Sequence, residues 1–446
     1  MRDLASRLRQ IVRDNPRTPA PRELSYVADV GGEQEPEETA ARLGGRLRQG
    51  ASGTCVVIDR VWAADHWHGD RQVRSMTPDG AAPLGLFDGR LATGSNWADR
   101  VVFFDIETTG LSGGAGTLAF LVGCGWFEDG AFRVRQFLLA GPAGEPTLLE
   151  ALGEVFAETS LLVTYNGRTF DVPTMDTRWA FHRRPSPADG LPHFDMLPPA
   201  RRLWGRRSEA RVVGGESPNS CSLTALERSL LGFHRTGDVP GFEIPTRYFH
   251  FLRSGDAAAL TDVIEHNQLD LLSLAAVMAR ALRLAGEGPA ACRDAGEQLA
   301  LGRLYERAAD VGRASESYQA AASSGSPEGR SVALARLAEL LRRQGRHDEA
   351  CDAWQGVLAL AAPGRDLNMI ERRAAEALAI HLEHRAKDPE AARRYAQLLR
   401  SGPAGRPRAD AEHRLGRLDR KAGAAENKKG GREAAPLLSE TGPPEG

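Results

Sequence analysis

Two acids separated by one residue, Asp105 and Glu107, follow an apolar run in the segment FFDIETTGLSGGAGT (103–117). On a β-strand, residues i and i+2 point to the same face, so both carboxylates would project together. Neighbouring carboxylates repel each other and lose hydration, and a hard cation such as Mg²⁺ or Mn²⁺ offsets both effects. The alternative is a strand that runs out into solvent with two exposed acids, which a lone Asp-x-Glu pattern also produces.

Two further segments bring polar groups that could act with this pair. In YNGRTFDVP (165–173), Asp171 closely follows a short apolar strand, LLVTYN, although an ordinary surface loop would explain this acid equally well. His266 and Asp270 are four residues apart in a long amphipathic helix, so they share one face of it. That face is either the wall of a cleft or a solvated helix surface.

The glycines behind the first acids do not form a phosphate-binding loop. They match neither G-x-x-x-x-G-K-[ST] nor G-x-G-x-x-G, and a strand-like segment follows them rather than a helix. We expect them to turn the chain between two antiparallel strands and to let a substrate approach the backbone closely. The glycines concerned are Gly110, Gly113, Gly114 and Gly116.

The surrounding pattern predicts an α/β sheet. VVFFDIE, TLAFLVGCGWF and AFRVRQFLL are typical of three successive strands, and the tight EDG link suits a hairpin. TLLEALGEVFAET predicts an amphipathic helix, and LLVTYN a short buried strand. Three adjacent strands, a helix and another strand indicate a mixed sheet flanked by helices.

At this point the chain resembles the DEDD exonucleases of the ribonuclease H-like superfamily, and more closely the YprB-type ribonuclease H-like family. The resemblance covers about residues 95–285 and implies a ribonuclease H-like fold. It depends on the order and spacing of several short motifs. They are DIETTGLSGGAGT with FLVG (120–123), YNGRTFDVP (165–173), HFDML (193–197), SLTALERSLLG (222–232), DVPGFEIPTRYFHFL (238–252) and HNQLDLLSL (266–274).

The resemblance implies a two-metal phosphodiesterase that acts as a 3′→5′ exonuclease on DNA or RNA. Asp105, Glu107, Asp171 and Asp270 would hold two ions, Mg²⁺ or Mn²⁺, and His266 would stand where the superfamily carries its general base. The spacing departs from the family pattern here. Three residues separate His266 from Asp270, as in the tyrosine subclass, whereas the histidine subclass usually has four.

Candidate substrate-binding residues lie within the YNGRTFDVP motif and in the arginine-rich stretch that follows it. Eight arginines and three acids between 178 and 211 give this stretch a local charge of +5, in a chain of net charge −2. RRLWGRR interleaves Trp204 with that charge, as base stacking and phosphate contacts require, although a solvated loop with Trp204 in the core fits as well. The full candidate set is Tyr165, Asn166, Asp195, Arg201, Arg202 and Trp204.

Residues 295–400 contain three sets of residues with identical internal offsets, 36 and then 41 residues apart. They resemble degenerate tetratricopeptide repeats, which predicts an all-α repeat domain able to recruit a protein partner; a generic helical bundle is the alternative. The first set is Leu301, Gly302, Tyr305, Ala314, Tyr318 and Ala321; the second is Leu337, Ala338, Leu341, Ala350, Trp354 and Val357; the third is Leu378, Ala379, Leu382, Ala391, Tyr395 and Leu398.

Length and composition bound the remaining possibilities. A chain of 446 residues with 41% hydrophobic and 26% charged residues is typical of a globular protein of several domains. Its five cysteines are scattered and no apolar run is long enough to span a membrane, so we expect free thiols and a cytoplasmic location. The expected order is a flexible segment (1–45), a small extension with one strand (46–95), the ribonuclease H-like domain (96–286), the repeats (295–400) and a disordered tail (401–446).

Two other classes of function compete with a nuclease. One is a non-catalytic nucleic-acid-binding adaptor whose repeats recruit a protein, and the other is a pure scaffold. Retention of all four acids argues against the first, and the arginine-rich stretch fits the second poorly. His66 and His68 in HWHG are expected to be exposed or hydrogen-bonded rather than metal ligands, because no third ligand lies near them.

Overall fold

The computed structural model describes residues 36–78, 83–91, 97, 99–110, 116–205, 221–400 and 409–420. Within them, seven strands form one mixed sheet in the order β1-β2-β7-β6-β5-β8-β9, and β3 pairs with β4 beside it. The strands are β1 (Arg46–Gly50), β2 (Gly53–Trp62), β3 (Trp67–His68), β4 (Arg71–Gln72), β5 (Val101–Thr108), β6 (Ala119–Glu128), β7 (Ala131–Leu138), β8 (Leu161–Thr164) and β9 (His193–Asp195).

The α-helices flank this sheet and then continue alone towards the C-terminus. None of the described helices is long and apolar enough to cross a membrane. The helices are α1 (Pro36–Arg42), α2 (Leu84–Phe87), α3 (Glu145–Ala157), α4 (Asp171–Phe181), α5 (Leu197–Trp204), α6 (Leu223–Leu226), α7 (Ile244–Ser254), α8 (Thr261–Glu287), α9 (Ala295–Arg307), α10 (Val311–Ser324), α11 (Pro327–Arg343), α12 (His347–Ala359), α13 (Met369–His384) and α14 (Pro389–Leu398).

Strand β5 lies inside the sheet and sends alternate side chains to two different cores. Val102, Phe104 and Ile106 pack in the core that includes α3 and α7. Phe103 faces the opposite core, against α8. Because the side chains of a strand alternate, the two acids that follow Phe103 at two-residue steps face α8 as well. The predicted class, a mixed α/β sheet followed by a helical region, is confirmed.

The strands around the glycine-rich segment have the predicted order. β5 pairs with β6 antiparallel, so the chain reverses between them as expected; residues 111–115, with Gly113 and Gly114, lie outside the described residues. β6 and β7 form the predicted hairpin, whose turn places Asp129 at φ 51° and Gly130 at φ 76°. Two successive positive φ values give the turn a twist that matches the twist of the strands it joins.

Both ends of the described chain are more ordered than predicted. β2 pairs with β7 along its length, so the strand expected in a small extension is an integral part of the main sheet. α1 lies in the segment expected to be flexible, and its Ala40 is buried in the core beside β2. Residues 409–420, in the predicted disordered tail, are helical because Leu415 and Leu418 pack against α13 and α14.

Three consecutive helix pairs, α9 with α10, α11 with α12 and α13 with α14, form the C-terminal region. Each predicted set of residues spans one pair. Gly302 on α9 lies directly against the ring of Tyr318 on α10, where a side chain would collide with it. The residues of the first two sets are buried, whereas Leu398 of the third is 42% exposed, and the tetratricopeptide assignment remains a prediction.

The helical region shares its core with the sheet domain, and a buried polar cluster lies where the two meet. Glu297 of α9 accepts hydrogen bonds from Trp204 of α5 (3.1 Å) and from Arg280 of α8 (2.7 Å). The side chain of Glu297 is fully buried and that of Arg280 is 4% exposed. A buried charge is tolerated only with such partners, so this cluster fixes how the two regions dock.

We expect Glu297→Ala to destabilise the protein by roughly 3 kcal/mol, because it leaves the buried Arg280 guanidinium without its anion. Glu287→Ala is the matched control, since it breaks an exposed pair with Arg283 and should cost less than about 0.5 kcal/mol. Urea unfolding of both variants measures the difference. Equal losses would mean that the buried cluster does not hold the two regions together.

Candidate active site

Acids from three separate parts of the chain meet at the end of β5. Asp105 and Glu107 project from the same face of this strand. Asp171 is the first residue of α4, and its carboxyl group lies close to the backbone of Ile106, the residue between the two strand acids. The parallel pairing of β5 with β8 produces this meeting, because the chain leaves β8 at the same edge where β5 ends.

Helix α8 closes the cluster from the other side. The Nε2 atom of His266 lies 3.9 Å from an oxygen of Glu107 and 3.6 Å from Oδ2 of Asp270, one turn along the helix. The shared helix face predicted for His266 and Asp270 is therefore a cleft wall directed at the strand acids, and not a solvated surface.

Crowding changes the acidity of these carboxyl groups. Burial raises the pKa of Glu107 to about 8, with the charges of Asp270 and Asp171 adding to the effect. Burial likewise raises the pKa of Asp171 to about 7. The pKa of Asp105 rises well above its ordinary value through burial and then through Asp270, Glu107 and Asp171. The site is therefore short of positive charge.

A buried chain of amides orients Asp105. Asn267 of α8 donates from Nδ2 to Oδ2 of Asp105 at 2.8 Å. Its own oxygen accepts from Gln136 of β7 at 2.7 Å, which fixes which end of the amide faces the acid. Gly123 of β6 makes room, because a Cβ there would collide with the Asn267 side chain. Asn267, Gln136 and Gly123 thus set the depth at which α8 approaches the acids.

His266 is held by a second acid outside the cluster. Its Nδ1 lies 2.6 Å from Oδ1 of Asp238, so it donates a hydrogen bond there and turns Nε2 towards Glu107 and Asp270. Burial by itself lowers the pKa of His266, but the hydrogen bond to Asp238 and the charges of Asp270 and Glu107 raise it to about 9. The ring is therefore protonated at neutral pH in this structure.

Arg235 provides the other positive charge near the cluster. Its guanidinium, 5% exposed, forms ion pairs with Asp270 and with the buried Glu227, and lies 3.4 Å from Asp238. Burial lowers the pKa of Arg235, but Asp270 and Glu227 outweigh it and raise that pKa further. Oδ1 of Asp270 is occupied by this pair, while Oδ2 faces His266.

The donor set suits a hard divalent cation in its chemistry. The site brings four carboxyl groups into one region, three of them with raised pKa values, and carboxylate oxygens are the ligands that Mg²⁺ and Mn²⁺ prefer. The described side chains do not, however, include three His, Cys, Asp or Glu residues already arranged as metal ligands. One oxygen of Asp270 is engaged in its ion pair with Arg235.

The loop after β8 is built by Asp195 and lies beside the acids. The Asp195 carboxylate accepts backbone N–H groups of Asn166 (2.9 Å), Arg168 (3.2 Å) and Leu197 (3.0 Å). Asn166 is exposed, with φ 69°, and the Tyr165 hydroxyl donates to the carbonyl of Cys221. Asp195 therefore shapes the loop that leads into Asp171, and Asn166 is the exposed group of this set.

The arginine-rich stretch divides into exposed and buried parts. Arg201 and Arg202 are exposed on α5, whereas Arg206, Arg207 and Arg211 lie outside the described residues. Trp204 is only 3% exposed, and its indole N–H donates to Glu297. This placement corrects the predicted base-stacking role of Trp204, because a ring buried between two regions offers no face to a base.

Several residues of the site escaped the sequence reasoning. Arg235, Asp238 and Asn267 all lie within or next to motifs quoted for the family resemblance, but nothing in their spacing links them to the acids. Gln136 lies on a strand far from any motif. His68 is buried and hydrogen-bonded to Ser273 (2.8 Å), and His66 is exposed, as predicted for both.

Comparison with known proteins places this geometry in context. Residues 102–282 match a family described as the RNase_H superfamily. The chain is 33% identical over 295 residues to the uncharacterized protein YprB of Bacillus subtilis (strain 168), which covers 65% of this chain and 66% of YprB, just under two thirds of each. A family B DNA polymerase from the hyperthermophilic archaeon Pyrobaculum calidifontis aligns over 47% of this chain and 29% of its own, at 14% identity and a TM-score of 0.31. A likeness at that level says nothing about activity.

In metal-free buffer, we expect Glu107→Gln to stabilise the protein at pH 8 by roughly 2 kcal/mol or more, and much less near pH 5. The raised pKa means that the folded protein keeps a proton on Glu107 that the unfolded chain releases above about pH 4.5, so stability falls as pH rises from there to about 8. Thermal unfolding with a chelator measures both variants. Glu128→Gln, at an exposed pair with Arg133, is the control, and an equal gain at both pH values would contradict the assignment.

Proposed function

Because residues 102–282 form a domain of the ribonuclease H superfamily, we propose that this protein is a metal-dependent nuclease that hydrolyses phosphodiester bonds, as a 3′→5′ exonuclease. One observation carries the proposal. Acids from β5, α4 and α8, far apart in sequence, converge on one small region together with a histidine. Such a cluster raises the free energy of the folded protein unless positive charge joins it, which is the expected property of a site built to bind cations.

Asp105, Glu107, Asp171 and Asp270 would hold two ions, Mg²⁺ or Mn²⁺. When bound, such ions supply a nucleophilic water at neutral pH and offset the charge that develops on the leaving oxygen. Asp270 directs Oδ2 to the site, and its Oδ1 is paired with Arg235. It could therefore bind an ion through Oδ2 while Arg235 fixes the orientation of its carboxylate. Asn267 does the same for Asp105, since it occupies Oδ2 of that acid.

His266 is the candidate for moving a proton. Its hydrogen bond to Asp238 points Nε2 at the acids, which is where water would be deprotonated. While protonated, the ring cannot accept a proton. Two of the effects that raise its pKa come from the charges of Asp270 and Glu107, so neutralising those acids would lower the pKa towards neutrality. The same ring could then act as a base in the loaded site.

We expect wild-type protein to degrade labelled single-stranded DNA or RNA with Mn²⁺ or Mg²⁺, and Asp105→Ala to lower the rate by at least about 100-fold. Asp65→Asn, an exposed acid that is not part of the cluster, is the matched control for a contaminating nuclease and should keep full activity. Gel analysis of oligonucleotides labelled at the 5′ or the 3′ end shows the direction in which the strand is degraded.

Equal degradation by the wild type and by Asp105→Ala would contradict the assignment of Asp105 as a metal ligand. Binding of the oligonucleotide without degradation by either protein would instead favour the adaptor.

Asp238→Asn should lower the turnover number by roughly 10- to 100-fold with little change in KM, because Asp238 holds His266 and does not itself face the acids. The variant should also lower the pKa of His266, since it removes one cause that raises it. A histidine NMR titration of metal-free protein measures this shift. Asp262→Asn, an exposed acid of α8 paired with Arg247, is the control; a fall in activity without a pKa shift would contradict the positioning role.

A further inference from the structure

A cleft lined by arginines lies where α5 of the sheet domain meets the first helices of the C-terminal region. One cavity of about 520 Å³ opens between α5, α9 and α11. A second, of about 570 Å³, lies between the segment around α2, the loop after β8, α5 and the end of α9. Arg202 and Arg307 line both cavities, so the two form one continuous cleft, here called the arginine cleft.

The charge of the arginine cleft is strongly positive in a chain whose net charge is −2. Seven arginines line it, and the acids that line it are Asp88, Asp195 and Glu306. The arginines come from both regions of the protein. They are Arg90, Arg168, Arg201, Arg202, Arg303, Arg307 and Arg336.

The arginine cleft thus has seven arginines and three acids among its lining residues, and each of these acids already has partners. Asp88 is shared between Arg90 (2.8 Å) and Arg168 (2.9 Å). The Asp195 carboxylate is taken up by backbone N–H groups.

Glu306 forms an ion pair with Arg343 and accepts a hydrogen bond from the Tyr318 hydroxyl. Burial and then the nearby charge of Arg307 lower the pKa of Arg202, as expected where positive groups repel one another. Such an arrangement costs free energy unless a polyanion occupies it.

The arginine cleft also borders the candidate active site, because the charge of Asp195, which lines the cleft, acts on Asp171. Asp195 lines it and at the same time holds the loop that runs through Arg168 into Asp171. A chain bound with its reacting bond at Asp171 would therefore leave the site past Arg168 and Arg202. It would then reach Arg307 and Arg336 on the helical region.

We propose that the arginine cleft binds the phosphodiester backbone of the nucleic-acid strand whose end is held at the acids, so that the helical repeats are part of the substrate-binding surface. This deepens and rests on the nuclease function proposed above. The aromatic rings among the described lining residues, Phe87 and Phe194, are buried, so no stacking platform accompanies the charge. Recognition would be through phosphates, independent of sequence and steeply dependent on salt.

The test uses Arg307→Gln/Arg336→Gln, because both side chains are exposed and lie on the helical region, far in sequence from every acid of the site. Arg385→Gln/Arg394→Gln is the matched control, with the same change of charge on exposed positions of the same region outside the arginine cleft. Arg307→Lys/Arg336→Lys keeps the charge and tests for effects of folding alone.

Binding of a labelled single-stranded oligonucleotide is measured by fluorescence anisotropy in EDTA between about 50 and 200 mM salt. We expect the Gln pair to weaken binding roughly tenfold and to reduce the slope of log K against log salt by about 1.4, or about 0.7 for each phosphate that the two side chains no longer neutralise. The control pair and the Lys pair should keep the wild-type slope. An unchanged slope in the Gln pair would overturn the proposal.

Two further arms separate this inference from the nuclease proposal. Hydrolysis of the small diester bis(p-nitrophenyl) phosphate with Mn²⁺ should be unaffected by the Gln pair, because that substrate does not reach the arginine cleft. If neither the wild type nor any variant hydrolyses a diester, but the Gln pair still binds the oligonucleotide more weakly, the nuclease proposal is contradicted. Binding of nucleic acid at the arginine cleft is then still supported. If poly-glutamate displaces the oligonucleotide at equal charge, the site is one for acidic polypeptides and the proposal is overturned.

Discussion

The withdrawal of four carboxylates from water at one point constrains much of this molecule. Their mutual repulsion must be offset locally, and the structure does so with one imidazolium, one guanidinium and one amide, from His266, Arg235 and Asn267. Each of these groups is fixed in turn by a further partner. Single polar side chains in elements that otherwise pack the core therefore serve the electrostatics of the site: Gln136 of β7, Arg235 and Asp238 of the loop that precedes α7, and Asn267 of α8.

The acids were predictable because their spacing carries geometric information. Two residues on a strand and four on a helix fix a shared face without knowledge of the fold. Asp105 with Glu107 and His266 with Asp270 were found in this way, and the family resemblance related the two pairs. The sheet was predictable for the same reason, since alternation along β5 and β6 and the EDG turn are local signals.

What the sequence did not reveal depends on contacts between distant segments. Arg235 reaches Asp270 across 35 residues, and Gln136 reaches Asn267 across 131. Sequence separations of this size do not predict which residues will be in contact. Trp204 was misinterpreted for the same reason. An aromatic residue among arginines is typical of a nucleic-acid-binding segment, and only the tertiary structure shows that its indole contacts Glu297. The order of residues 36–42 and 409–420 likewise depends on distant apolar partners.

Helix α8 has a mechanical consequence because it takes part in two junctions at once. Asp270 belongs to the acid cluster, and Arg280, ten residues later and about 15 Å along the axis, belongs to the buried cluster with Glu297. A helix buried along much of its length resists bending, so α8 holds Asp270 and the junction with the helical region at a fixed separation. A substitution at the Glu297 junction that shifts α8 would therefore also change the position of Asp270 among the acids.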